Sequence, residues 1–140
     1  MKPSLAPGLC FRWSHVVGEG KLVPALYPES PEFLEMPEVL ATGFLVGFLE
    51  WACIMAIKPH LDWPREQSLG IQIAVTHEAP TVAGMTITAT VTLTEVAGRQ
   101  LSFAVEAHDG VDMISRGTHQ RMVIDREKFL QKLERKTRGP

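Results

Sequence analysis

The sequence predicts an α+β fold in which a curved antiparallel sheet wraps around one long apolar helix, with a second, amphipathic helix at the C-terminus. Three observations carry this reading. Val39 to Ile57 is an almost unbroken apolar run of helical length. Beyond Gly70 the hydrophobic pattern becomes an alternation of period about two and keeps it through successive segments. Asp125 then opens a stretch in which Phe129, Leu130 and Leu133 share one side of a helix. A sheet with a single apolar face needs something to cover it, and the Val39–Ile57 helix is the apolar element available.

The length of 140 residues, with 45% hydrophobic and 21% charged residues, fits a single domain spanning 1–140. Lysine and arginine number 14 against 16 aspartates and glutamates, so the net charge of -2 offers no field for nucleic acid. Cys10 and Cys53 are the only cysteines, which disfavours a disulfide framework or a cysteine metal site. Val39–Ile57 is about long enough to span a bilayer, but Glu50 lies within it, and a carboxylate at mid-membrane costs a few kcal/mol or more. A helix buried in a protein core is the expectation, with no membrane partner. Met1 to Gly20 lacks a continuous apolar segment, so no signal peptide is expected and cytoplasmic residence is the default.

Taken in order, the chain begins with a short strand at Phe11–Val17, a turn at Gly18-Glu19-Gly20 and a second extended piece from Leu22 to Tyr27. Pro28, Pro31 and Pro37 forbid regular structure across about 28–37 beyond single turns, making that stretch a lid-like loop. The central helix is expected over about 39–58, ended by Pro59 and Pro64. Four strands of an antiparallel meander follow within about 70–124. In the first, Ile71, Ile73, Val75 and His77 face inward; in the second, Met85, Ile87, Ala89, Val91 and Leu93 alternate with threonines. Gly98 turns the chain into Leu101–Ala107, and Asp109-Gly110 turns it into Val111–Ile124. The C-terminal helix occupies about 125–136. A helix apolar on every side exceeds what one concave sheet can cover, so an obligate homodimer is expected.

Glu50 is the one charged group in that apolar run, and burying it unpaired would cost several kcal/mol. It is either half of a buried ion pair or a general base or nucleophile. His77 ends an inward row on the strand that packs against the helix, which makes it the natural partner for Glu50. Thr42, eight residues before Glu50, reads as a helix N-cap. On a continuous helix the two lie about 12 Å apart along the axis and roughly 80° apart around it. They cannot share a small reacting centre within one chain, but across a dimer axis they can, with the helix N-terminal amides ready for an oxyanion. His108 reads as surface. His119 and Arg121 share a strand face that is either solvated or places a guanidinium at the site mouth. No metal-ligand set and no phosphate-binding glycine pattern emerges.

Several runs go further. Leu26-Tyr27-Pro28-Glu29-Ser30-Pro31-Glu32-Phe33, Ala41-Thr42-Gly43-Phe44, Glu50-Trp51-Ala52-Cys53, Ser68-Leu69-Gly70, Val75-Thr76-His77, Ala107-His108-Asp109-Gly110-Val111-Asp112 and Gly117-Thr118-His119 resemble the hotdog-fold acyl-CoA thioesterases, and within them the fluoroacetyl-CoA thioesterase family. The resemblance covers nearly the whole chain beyond the first twenty residues. It implies hydrolysis of a short acyl-CoA, most specifically fluoroacetyl-CoA, by Thr42, Glu50 and His77. It further implies substrate contacts from Gly70, Arg121 and the lid residue Phe33, and no cofactor beyond the coenzyme A that the substrate carries. Met36 stands where the family has a second lid phenylalanine, and a flexible thioether makes a looser gate against acetyl-CoA. Two other functions compete: a non-catalytic module binding an acyl-CoA or small acid, and a broader short-chain thioesterase. A dehydratase fits poorly, because His77 follows the helix on a strand.

Overall fold

The computed structural model describes residues 1–139. Five strands, β1 (Cys10–Val16), β2 (Glu66–Val75), β3 (Thr86–Ala97), β4 (Gln100–His108) and β5 (Met113–Asp125), form one antiparallel sheet in the order β1-β3-β4-β5-β2. The helices are a single turn α1 (Pro31–Leu34), the central α2 (Thr42–Ile57) and the C-terminal α3 (Arg126–Thr137).

The core forms where α2 meets the sheet. Leu45, Leu49, Ala52 and Cys53 of α2 are fully buried with Ile87, Ala89, Val91 and Leu93 of β3 and Leu101, Phe103, Val105 and Ala107 of β4. Each buried leucine here contributes about 1.5–3 kcal/mol relative to exposure. Thr42–His60 is long and apolar enough to cross a membrane by length and composition, but this packing makes it the core helix of a globular domain. Its other side stays open in the single chain, with Thr42, Gly43, Gly47 and Trp51 exposed. The helix is therefore apolar all round yet buried on one side only.

The strands follow the expected faces more closely than the expected connectivity. Strands β3, β4 and β5 form a meander, but β2 crosses to the far edge and pairs with β5, and β1 occupies the other edge beside β3. Period-two alternation identifies a strand's faces and carries no information about its neighbour. Because β2 is an edge strand, Ile71 and Ile73, expected to face inward into the core, are exposed. The expected extended piece at Leu22–Tyr27 reduces to one bridge, Leu22 to Leu40, followed by a tight helical turn at Val23–Ala25. Pro24 supplies the helical φ at that turn and takes a backbone donor away from any strand. The central helix starts at Thr42, three residues later than expected, because Val39, Leu40 and Ala41 are hydrogen-bonded to Val23, Thr81 and Lys21 instead.

Within the lid, the Ser30 hydroxyl accepts from the Phe33 amide and caps α1, and the Tyr27 and Phe33 rings stack at 5.9 Å. Leu26 lies over Gly43, where an added Cβ would come within 3.0 Å of its Cδ1. The C-terminal helix begins where expected, with the Asp125 carboxylate accepting from the Lys128 amide.

Candidate active site

Thr42 is the first residue of α2, and the N-cap is Ala41, not Thr42 as its sequence suggested. The segment leading to it is fixed on two sides. The Leu40 amide donates to the Thr81 carbonyl at 2.8 Å, and the Ala41 amide donates to the Lys21 carbonyl at 3.0 Å. Thr81 is itself anchored, its buried hydroxyl donating to Asp109 Oδ2 at 2.9 Å. Asp109 also accepts from the Val111 and Asp112 amides. Burial alone would raise its pKa, but these hydrogen bonds outweigh it and hold the carboxyl below its usual range.

His77 lies just past β2, on backbone that stays paired with β5: Thr76 donates to the Arg116 carbonyl and Glu78 to the Ile114 carbonyl. This places His77 Nδ1 2.8 Å from Thr42 Oγ1. Burial pushes the His77 pKa down, so the neutral ring is favoured. In the arrangement where Thr42 donates to Nδ1, the proton sits on Nε2, which is buried and has no protein partner. No side chain caps α2, and its first-turn amides, Thr42 to Phe44, have no acceptor within the helix. A cleft of about 340 Å³ lined by Val23, Val39, Leu40, Thr42, His77 and Pro80 opens beside this pair.

Glu50, two turns along α2, belongs to a second cluster. Its Oε1 accepts from Arg121 Nη1 at 3.1 Å. Arg121 is only 2% exposed, and its charge is compensated throughout. Nε donates to Ser68 Oγ at 2.8 Å, Nη2 to the Ser68 carbonyl at 2.9 Å, and Nη1 also to His119 Nε2 at 3.0 Å. Gly70 completes the cluster beside a β-bulge in β2. A Cβ there would overlap Glu50 Oε1 and come within 3.2 Å of His119 Cε1. Glycine therefore lets the carboxylate rest against the strand backbone. A cleft of about 350 Å³ lined by Val46, Glu50, Gly70, Gln72, Ile73 and His119 faces outward here.

The expected pairing of Glu50 with His77 is thus not made within one chain: Glu50 pairs with Arg121 and His77 with Thr42. The separation has a simple cause, since the two residues of α2 lie eight positions apart on a continuous helix. The solvated reading of His119 and Arg121 is also overturned, because both are 2% exposed on the inner face of β5. Gly70 and Arg121 join Glu50 as expected. Phe33 is half-buried and Met36 exposed in the lid. Sequence reasoning missed Ser68 as the clamp on Arg121, the tautomer-fixing contacts of His119, and the Thr81–Asp109 anchor. The parity of Ser115, His119 and Arg121 with the core residue Val123 was the available signal for their burial. Cys53 is buried beside this cluster, and burial pushes its thiol up to about 12, which leaves it inert.

Comparison with known proteins converges on one family. The family model described as fluoroacetyl-CoA-specific thioesterase matches residues 29–127. The fluoroacetyl-CoA thioesterase of Streptantibioticus cattleyicolor is 54% identical over 98% of this chain and 98% of its own. A solved structure of a fluoroacetyl-CoA thioesterase variant with fluoroacetate superposes with a TM-score of 0.91 at 53% identity, covering 94% of this chain and 98% of that one. A Thermus thermophilus member of the thioesterase superfamily, at 22% identity and a TM-score of 0.84, covers 99% of this chain and 96% of its own and shares the fold.

Proposed function

This chain belongs to the fluoroacetyl-CoA-specific thioesterase family, and from that premise we propose that it hydrolyses fluoroacetyl-CoA to fluoroacetate and free coenzyme A in the cytoplasm. The reading is carried by one observation: the chain holds a hydroxyl–imidazole pair at a helix N-terminus and, separately, a carboxylate clamped by a buried arginine. Together these are the parts that thioester hydrolysis requires, and no cofactor enters beyond the coenzyme A of the substrate.

The reaction needs an oxygen delivered to the carbonyl carbon, a site for the developing oxyanion, and a proton for the departing thiolate. Glu50, held through Oε1 by Arg121, keeps Oε2 free to act on the carbonyl carbon directly or through a water that it deprotonates. The uncapped amides at the start of α2 and the Thr42 hydroxyl polarise the carbonyl oxygen. His77 Nε2–H, which has no protein acceptor, hydrogen-bonds the departing thiolate sulfur, and the proton that the thiolate takes up is the one released by the attacking water. Arg121 uses four of its five N–H groups on Ser68, Glu50 and His119, leaving one for the acyl group of the substrate.

The two clusters act together when a second copy supplies the missing half. In this reading the protein is a homodimer, with Thr42 and His77 of one chain facing Glu50 and Arg121 of the other. The exposed Ile71 and Ile73 of β2, which line the cleft with Glu50 and Gly70, and the open side of α2 support it. Met36 favours a second reading, a thioesterase of broader short-chain scope, because it makes the lid less rigid than an aromatic residue would.

The test is thiol release from fluoroacetyl-CoA and acetyl-CoA, measured side by side with the unaltered protein and Glu50→Gln. The proposal expects turnover of fluoroacetyl-CoA that Glu50→Gln reduces by about a hundredfold or more. Comparable hydrolysis of both substrates gives the broader thioesterase. Tight binding without turnover of either gives a binding module and overturns the proposal.

A further inference from the structure

His119 is a buried histidine whose hydrogen-bond partners determine its protonation. Its Nδ1 lies 2.6 Å from the Gln72 carbonyl oxygen, which only accepts, so Nδ1 carries the proton. Its Nε2 then presents a lone pair and lies 3.0 Å from Arg121 Nη1, which only donates. The ring is thus neutral and in one tautomer. Burial disfavours the imidazolium and Arg121 adds to this, with the Gln72 carbonyl and Glu50 opposing, and the net pKa is lowered. The Phe103 ring stacks against it at 6.5 Å between centroids.

Arg121 Nη1 divides its two N–H bonds between this lone pair and Glu50 Oε1. The guanidinium is planar and Ser68 engages its Nε and Nη2, so the His119 contact fixes the remaining corner of the fork. Take the lone pair away and a buried N–H is left without an acceptor, drawing Nη1 toward other oxygens. Protonate the ring and N–H faces N–H, cation against cation, at the same distance.

We infer that His119 is a positioning residue for the hydrolysis: acting as a neutral acceptor, it orients Arg121, and through Arg121 it orients the carboxylate of Glu50 and the one guanidinium N–H left for the acyl group. The inference rests on the thioesterase reading above and adds to it a residue that does not touch the reacting atoms. The ionisable groups facing His119 are Arg121 on its own strand and Glu50 on α2, while β2 offers only the Gln72 carbonyl and β4 the Phe103 ring.

The experiment uses the full-length protein, fluoroacetyl-CoA as substrate, and the variants His119→Phe and His119→Gln. Replacement by phenylalanine keeps the volume and removes both polar contacts, and kcat should fall about tenfold or more. Glutamine can donate to the Gln72 carbonyl and accept from Arg121, so it should restore most of that loss. It also cannot titrate, which gives a readout that packing alone does not move. In the unaltered protein His77 and His119 must both be neutral, so the acid limb of log kcat carries both protonations. In His119→Gln one of them is removed, so the acid limb should be shallower than in the unaltered protein by up to about one unit of slope. An acid limb unchanged in His119→Gln, with that variant fully active, overturns the inference even if His119→Phe fails to fold. Absence of hydrolysis by the unaltered protein would instead remove the thioesterase reading itself.

Discussion

Thr42 Oγ1 and His77 Nδ1 lie 2.8 Å apart, although 35 positions separate them in the chain, while Glu50 on the same helix as Thr42 is bonded to Arg121. One continuous helix therefore carries members of two clusters that face different surroundings.

Gly70 has a role in the site that its strand position alone does not reveal. A methyl group there would overlap Glu50 Oε1 and crowd His119. Gly70→Ala should lower kcat for fluoroacetyl-CoA by about tenfold or more and also lower the thermal midpoint, since displacing the Glu50 carboxylate takes the counter-charge from the buried Arg121 guanidinium. Steady-state kinetics paired with thermal unfolding would check this. An unchanged kcat would mean that Glu50 works from a different position.

The lid offers a separate test. Phe33 is packed on Tyr27, whereas Met36 is exposed on the C-terminal side of α1. Met36→Phe should raise the ratio of kcat/KM for fluoroacetyl-CoA over acetyl-CoA by about threefold or more, because a rigid ring excludes water and holds the acyl pocket to one shape better than a thioether. A ratio that stays the same places the discrimination elsewhere.

Stability should depend on pH through the buried His119 and the half-buried His77. Both His77 and His119 have pKa values lowered by burial from an ordinary value of 6.5. A group held below its unfolded pKa binds protons more readily when the chain unfolds. The stabilisation is therefore complete above about pH 6.5 and declines as pH falls toward the folded-state values. The urea midpoint should drop between about pH 7.5 and pH 5.5, and drop less in His119→Gln. A midpoint that rises on acidification would contradict the assignment of neutral rings.

Much of the architecture was legible in the sequence. The alternation of Ile87, Ala89, Val91 and Leu93 with threonines gave β3 its faces, and Asp125 marked the start of α3. The apolar run gave α2, and Glu50 within it pointed to the site. Connectivity was not legible, because the pattern in Ile71, Ile73 and Val75 says which side of β2 is apolar and not that β2 pairs with β5.

The site was legible in its members more than in its pairings. The sequence pairs His77 with Glu50 because both lie on elements that pack together, yet contact depends on rotation around the helix and on the backbone beyond β2. The polar clamp on Arg121 was hidden for another reason. Ser68 and His119 are residue types common on surfaces, and only the register of β5 against β2 and β4 brings them inside. Asp109 read as a turn residue and is one, but its buried carboxylate also anchors Thr81 and hence the start of α2.

The central claim is that one reacting site takes Thr42 and His77 from one chain and Glu50 from a second. The most direct measurement is complementation: Glu50→Gln and His77→Ala, each expected to lose about a hundredfold or more in rate, are unfolded together, refolded as a mixture and assayed for thiol release. Random pairing puts about half of the dimers in mixed form, each with one intact and one doubly defective site, so activity should return to about a quarter of that of the unaltered protein. No recovery from a mixture shown to contain mixed dimers would contradict the claim and assign all three residues to a single chain.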